Sequence, residues 1–439
     1  MEHLIASRSL DVNSKGGSHT TALHAASVKG NLDVTSLLVK HGADPNSRDD
    51  YGRAPLHKVS QTGQLVMPHS SLEIARVLVD SGANVNITDN DDWTPLHTTA
   101  RSGYRYIAEL LLGSGASLDV RNKLQRTPLH VACYSGMLDV SRFLVDRGSD
   151  MNSRDEYNTT PLQMASRYGH VDIARLLLDR GSDVNDLQSW TPLHYASRFG
   201  YLDLARLLID HGADSNAYKE DLWTPLHLAS ASGHVGIAKL LVERGAIVDS
   251  QNEREETPLD RAAGNGHLDI VRFLIEGGAA VSASNNEGWI PFHTASYFGH
   301  LHITKFLLEC GINIDIQNRS GQTSLYLASS NGKLDVVRFL IEHGANIHAK
   351  DDNGWNPLHT ASENGYLDVA PMLIDTGIAV DTRSRAVHRA RITVNLPGTE
   401  RFGPVRLRNH STRHESENYG NYRTEPLKYG RHAGGTEKF

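Results

Sequence analysis

The chain has 439 residues, 39% hydrophobic, 22% charged and 7% aromatic, a balance that excludes a disordered chain and calls for a core of Leu, Ile, Val and Ala. No apolar run approaches the roughly 18 to 20 residues of a membrane-spanning helix, and two cysteines, Cys133 and Cys310, exclude a disulfide framework. The net charge of −7 is uneven: residues 386–439 carry ten Lys plus Arg against five Glu, leaving −12 on residues 1–385, which argues against a nucleic-acid binder because such binding needs a basic face.

Residues 1–15 lack the apolar h-region of a secretory signal. With the cysteine count, this places the chain inside the cell, in the cytoplasm, where the glycosylation sequons at Asn86, Asn158, Asn318 and Asn409 have no role. His3–Asn13 reads as the end of a helix followed by a turn, so the chain either opens on a half-unit cap or is a piece of a longer product. From Thr21 a T-P-L-H block begins and occurs eleven times, at Thr21, Ala54, Thr94, Thr127, Thr160, Thr191, Thr224, Thr257, Ile290, Thr323 and Asn356. Eight of the ten spacings are 33 residues; those after Ala54 and Thr160 are 40 and 31. These starts define units 1 to 11.

Each position in the unit has a local cause. Thr caps a helix by accepting a bond from an orphan N–H of the first turn, and Pro suits the next position, where φ is already set and no N–H is needed. The helix runs through HxASxxG to a Gly present in all eleven units, from Gly30 to Gly365. A second helix follows, with apolar residues at i, i+3 and i+4, such as Val34, Leu37 and Leu38. It stops at another invariant Gly, from Gly42 to Gly377, since a left-handed cap costs Gly nothing. Asn, Asp and Gly then mark a turn between two extended pieces.

Three departures stand out in chain order. Gln64–Ser70 is a seven-residue insertion between the helices of unit 2, and the turn Asn185–Ser189 is two residues short, which predicts a notch. Pro371 lies near the start of the last second helix and predicts a weaker terminal unit. After Arg385 no block follows; residues 386–439 have no apolar period and are expected to form a disordered basic tail.

The period of 33 and the T-P-L-H-x-A block make residues 1–385 similar to the ankyrin-repeat family. The resemblance implies an all-α solenoid of paired antiparallel helices with β-turn fingers. Its core forms between stacked neighbours, over about 110 Å for eleven units at about 10 Å each. It also implies that the T-P-L-H histidines hydrogen-bond backbone across units, rather than bind metal, and that two slots face a concave binding surface.

The first slot, just before the helix cap, holds all five tryptophans: Trp93, Trp190, Trp223, Trp289 and Trp355. The second, just before the inter-helix Gly, holds Arg101, Tyr134, Arg167, Tyr168, Arg198, Phe199, Tyr297 and Phe298, against small or polar residues elsewhere. Trp, Tyr and Arg dominate interface hot spots. The competing expectation for the tryptophans is plain packing on the neighbouring finger. Phosphate-loop, dinucleotide, zinc-protease and nucleophile-elbow motifs are absent, and the spacing of the 24 histidines assembles no zinc tetrahedron. We therefore expect no catalytic residue, metal or cofactor.

The reading is a monomeric, non-enzymatic scaffold that binds a protein or peptide, without nucleic acid or membrane insertion. The alternative is the regulatory or targeting part of a larger signalling protein, such as a nucleotide-dependent ATPase.

Overall fold

The computed structural model describes residues 11–377 except 18–19, 63–67, 189 and 219. Residues 386–439, with His410 and His414, the start of the half-unit at His3 and the insertion residues 64–67 lie outside the described residues. Within them, twenty-two α-helices form eleven pairs, from Ala22–Lys29 with Leu32–Lys40 to Pro357–Glu363 with Val369–Asp375. Among the described residues the extended pieces make isolated bridges, such as Gln317 to Thr323, and no strand. The architecture is an all-α repeat solenoid.

Unit 3 shows why the sequence folds this way. Thr94 Oγ1 accepts the His97 N–H at 3.4 Å, and His97 Nδ1 accepts the Thr94 N–H at 3.2 Å. His thus completes the reciprocal cap that Glu or Gln usually completes. Pro95 starts the helix Pro95–Ser102, and Gly103 ends it at φ 84°. The second helix, Arg105–Gly113, buries Ile107, Ala108 and Leu111 against Leu96 and Ala100. Equivalent residues of all units merge into one continuous apolar core, in which each unit closes the face its neighbour leaves open.

Three hydrogen-bonded links set the register between units. The T-P-L-H histidine reaches forward: Nε2 of His24, His97 and His194 donates to the carbonyls of Arg53, Arg126 and Trp223, 29 residues on, at 2.9 to 3.0 Å. Because a carbonyl only accepts, the proton sits on Nε2 and Nδ1 is free to cap. The histidine after the inter-helix Gly reaches backward: His170, His234, His267 and His300 donate to the carbonyls of Tyr134, Arg198, Ala231 and Gly264, at 3.0 to 3.2 Å. Their rings lie on the preceding unit's glycine. At Gly136 (φ 74°) a Cβ would stand 2.6 Å from His170 Cε1, so both the backbone angle and the ring demand glycine. The third link is an asparagine in the finger. Asn86 donates to the Gly115 carbonyl at 3.0 Å and accepts the Ser117 N–H at 2.8 Å.

The departures resolve into local adjustments. Asn13 makes the asparagine link to Gly42 and Asp44, at 3.1 and 2.8 Å, so the described end of the first half-unit does act as a finger. The second helix of unit 2 runs Pro68–Asp80, thirteen residues where nine is usual, so the insertion's end lengthens it. The short finger loses its residues between Asn185, which still donates to Gly212 at 2.9 Å, and Asp186, which still accepts the Gln188 N–H at 2.9 Å. Both functional ends of that finger survive. The last helix begins late, at Val369. Pro371 therefore falls in its first turn, where an N–H has no helical acceptor to lose.

Candidate interaction surface

The tryptophan slot packs on the T-P-L-H histidines. The rings of Trp93, Trp190, Trp223, Trp289 and Trp355 lie 5.7, 6.2, 5.8, 6.5 and 6.0 Å from those of His97, His194, His227, His293 and His359. Trp93, Trp190, Trp223 and Trp289 thereby cover their units' forward links, so packing accounts for part of the slot's chemistry. Burial pushes His57, His97, His130, His194, His227 and His293 down to about 4, with the accepting carbonyls only partly opposing it. The histidines behind the strip are neutral at pH 7, and its positive charge comes from arginine.

The second slot supplies those arginines. Arg101 lies over Trp93 at 5.8 Å and Arg198 over Trp190 at 5.7 Å, a Trp-x7-Arg arrangement built identically in units 3 and 6. Arg167 lies over both Tyr168 and Tyr195, at 5.8 and 6.0 Å. Tyr195 packs on Trp190 at 5.6 Å, and Tyr134 meets Tyr168 edge to face at 4.7 Å. Units 4 to 6 thus carry one unbroken sequence of contacts, Tyr134–Tyr168–Arg167–Tyr195–Trp190–Arg198. Tyr134, Tyr168 and Phe199 remain 43, 40 and 44% exposed.

Other residues of the two slots fall into separate groups. Trp93 and Arg101 form a pair of their own in unit 3. Trp223 packs under Arg261 at 5.4 Å, and that guanidinium is 2.9 Å from the buried Glu256. Trp289, Tyr297 and Trp355 join Tyr326 and Leu327 in an aromatic cluster over units 9 to 11, with Phe298 against Tyr297 at 5.0 Å. Trp289 is buried there.

The charges differ in kind from face to face. In the first slot of unit 4, Arg126 pairs with Asp155 at 3.1 Å, and on the fingers Arg154 pairs with Asp186 at 2.6 Å. On the second helices, Arg180 pairs with Asp146 at 2.6 Å and Arg244 with Asp210 at 2.8 Å. Arg101 and Arg198 pair with no carboxylate among the described residues; indole faces are their neighbours.

The sequence reading missed Tyr195 and Arg261, which share a register four residues after the cap that is Thr98 in unit 3 and Leu228 in unit 7. An unusually large or charged residue at that register was the available signal. The forward link also survives where T-P-L-H fails: Gln163 donates to the Asp186 carbonyl at 3.2 Å and Tyr326 OH to Asp351 at 3.2 Å, while Asp260 accepts from Thr294 Oγ1 at 2.6 Å. Burial raises Asp260 to about 6. Cys133 is buried, its thiol pushed up to about 12; Cys310 is exposed. Among the described residues no three His, Cys, Asp or Glu converge as metal ligands, and no helix is long and apolar enough to cross a membrane.

Comparison with known proteins agrees with this geometry. A family model described as ankyrin repeats (3 copies) matches in seven overlapping segments covering residues 1–384. Protein phosphatase 1 regulatory subunit 27 of Mus musculus is 41% identical over 59 residues, which is 13% of this chain and 38% of that protein. The Homo sapiens protein of the same name is 50% identical over 42 residues, 10% of this chain and 27% of its own length. The chain therefore spans well under half of either relative, and each match covers less than two units. With the units in register and the family model matched along their full length, the chain belongs to the ankyrin-repeat family.

Proposed function

We propose that the protein is a non-enzymatic scaffold that holds a protein or peptide partner on the first-helix face of units 3 to 6. The carrying observation is the contact sequence from Tyr134 to Arg198, in which Tyr134 and Tyr168 stay exposed although they touch. Trp190, Tyr168 and Phe199 supply apolar area to desolvate, and Arg101, Arg167 and Arg198 supply charge-assisted donors. First helices of neighbouring units also pack on each other more extensively than second helices do, which favours a concave curve on this side. The relatives' name, a phosphatase regulatory subunit, fits a binding role.

The scaffold acts as a monomer inside the cell, in the cytoplasm, without nucleic acid. Support for a site away from the glycosylation pathway comes from Asn86, whose side chain is committed at both ends to the next unit, so that a glycan there would break that link.

The test is recovery of a partner by affinity purification, followed by its binding to Arg198→Ala/Phe199→Ala. A loss of at least about 2 kcal/mol is expected in a variant that melts normally. Unchanged affinity in the folded variant would remove the strip and direct the search to the finger tips.

A further inference from the structure

We propose that the strip reads an extended acidic segment whose carboxylates are spaced to match its arginines; this deepens, and rests on, the interaction reading above. Arg101, Tyr134, Arg167 and Arg198 each occupy the seventh position after the helix cap, in units 3, 4, 5 and 6. Because the units stack in register, that position presents one side chain about every 10 Å. A partner in the extended polyproline-II conformation rises about 3.1 Å per residue and completes one turn in three residues, so about three residues pass each unit and side chains three apart face the same way. Two carboxylates that meet Arg167 and Arg198 must then lie about three residues apart. A third that meets Arg101, two units from Arg167, lies about six residues away on the other side. Between them the edge-to-face pair of Tyr134 and Tyr168 offers its exposed rings to an apolar or aromatic side chain.

Carboxylates are the chemistry that Arg101 and Arg198 lack. Arg154, Arg180 and Arg244 on the other faces, and Arg126 in the first slot of unit 4, are already paired with carboxylates, whereas Arg101 and Arg198 lie over indoles and meet no carboxylate among the described residues. A guanidinium placed over a ring face makes no hydrogen bond there and keeps its N–H groups for a bidentate acceptor. The row also has defined limits. The same position is Ala231 and Gly264 in units 7 and 8, which offer no charge, and Glu363 in unit 11, which repels a longer acidic run. Residues 1–385 carry −12 overall, so an acidic segment is disfavoured elsewhere on the body.

The experiment uses the full chain and fluorescence anisotropy with labelled peptides about ten residues long. One peptide has Glu at its first, seventh and tenth positions and Tyr at its fourth. A second has Glu at the first, fourth and tenth and Tyr at the seventh, which suits the opposite chain direction. A third has the same composition with its three Glu adjacent, and a single-stranded oligonucleotide of about ten nucleotides serves as a generic polyanion. One spaced peptide is expected to bind about tenfold tighter than the clustered peptide and the oligonucleotide. Arg101→Ala/Arg198→Ala should erase that preference, and Lys239→Ala, on a second helix, should leave it intact. If the double alanine variant does not melt normally, Arg101→Lys/Arg198→Lys, which keeps charge but loses the fork, should reduce the preference instead. The proposal is overturned if neither spaced peptide binds, if the clustered peptide or the oligonucleotide binds as tightly, or if the preference survives in a folded arginine variant. A recovered partner that still needs Arg198 and Phe199 would then leave the surface standing without its spacing rule. A partner indifferent to both would remove the two together.

Discussion

Units 4 to 6 and units 9 to 11 both gather aromatic rings about the two slots, with opposite outcomes. In the first region Tyr134, Tyr168 and Phe199 stay about two-fifths exposed, and Arg167 and Arg198 lie among the rings. In the second, Trp289, Tyr326 and Leu327 fall to 6, 8 and 3% exposure, with Tyr297 and Trp355 packed against them. The difference lies in what each unit places beside the ring of its neighbour. Arginine can cover an aromatic face with its stem but keeps its charged edge in water, which holds the first region open. Tyr326 and Leu327 have no such need for water and close the second. An aromatic slot is therefore a binding surface or a core according to its neighbours, not its type.

Acid should separate the two regions most. Of the six histidines held down to about 4, five lie in units 2 to 7 and only His293 lies in units 8 to 11. Each binds fewer protons folded than unfolded between about 4 and 6.5, so its contribution is intact above 6.5 and is lost as pH falls through that window. Asp260, raised to about 6 from 3.8, has the opposite sign: folded, it binds more protons in between, so unit 8 gains stability as pH falls from about 6. Hydrogen exchange at pH 7 and pH 5 should show units 2 to 7 losing protection while unit 8 keeps it. Equal loss across the solenoid would break the comparison.

Truncation should sharpen it. Trp289→Ala empties a closed cluster and should cost about 3 kcal/mol, seen as a fall in the urea midpoint. Phe199→Ala removes a ring that is still 44% exposed and should cost under about 1 kcal/mol. A larger loss for Phe199 than for Trp289 would mean that the roles of the two regions have been assigned the wrong way round.

The smallest effect belongs to a residue outside both regions. Lys239, exposed on a second helix and 5.9 Å over Phe273, should change stability by no more than about 0.5 kcal/mol when truncated, measured in the same urea titration.

The sequence by itself determined the unit, because every element of it is local. Thr94 caps a helix three residues away, Pro95 enters where no N–H is needed, and Gly103 ends the helix in the left-handed region, all within ten residues. Repetition of those local choices made the all-α solenoid legible from end to end, together with the two registers that hold the candidate surface. The resemblance to ankyrin repeats supplied the forward histidine link, which is present at His24, His97 and His194.

Only the tertiary structure decided what neighbouring units do to one another. It laid His170 on Gly136, joined Tyr195 to Arg167 and Trp190, and buried Trp289 under Tyr326 and Leu327. Each of these outcomes depends on a side chain in an adjacent unit, and the fixed period brings such residues into register without saying which of them fills the space. Exposure is the remainder after that filling. It therefore belongs to the stack, while the helix, its cap and its stop belong to the chain.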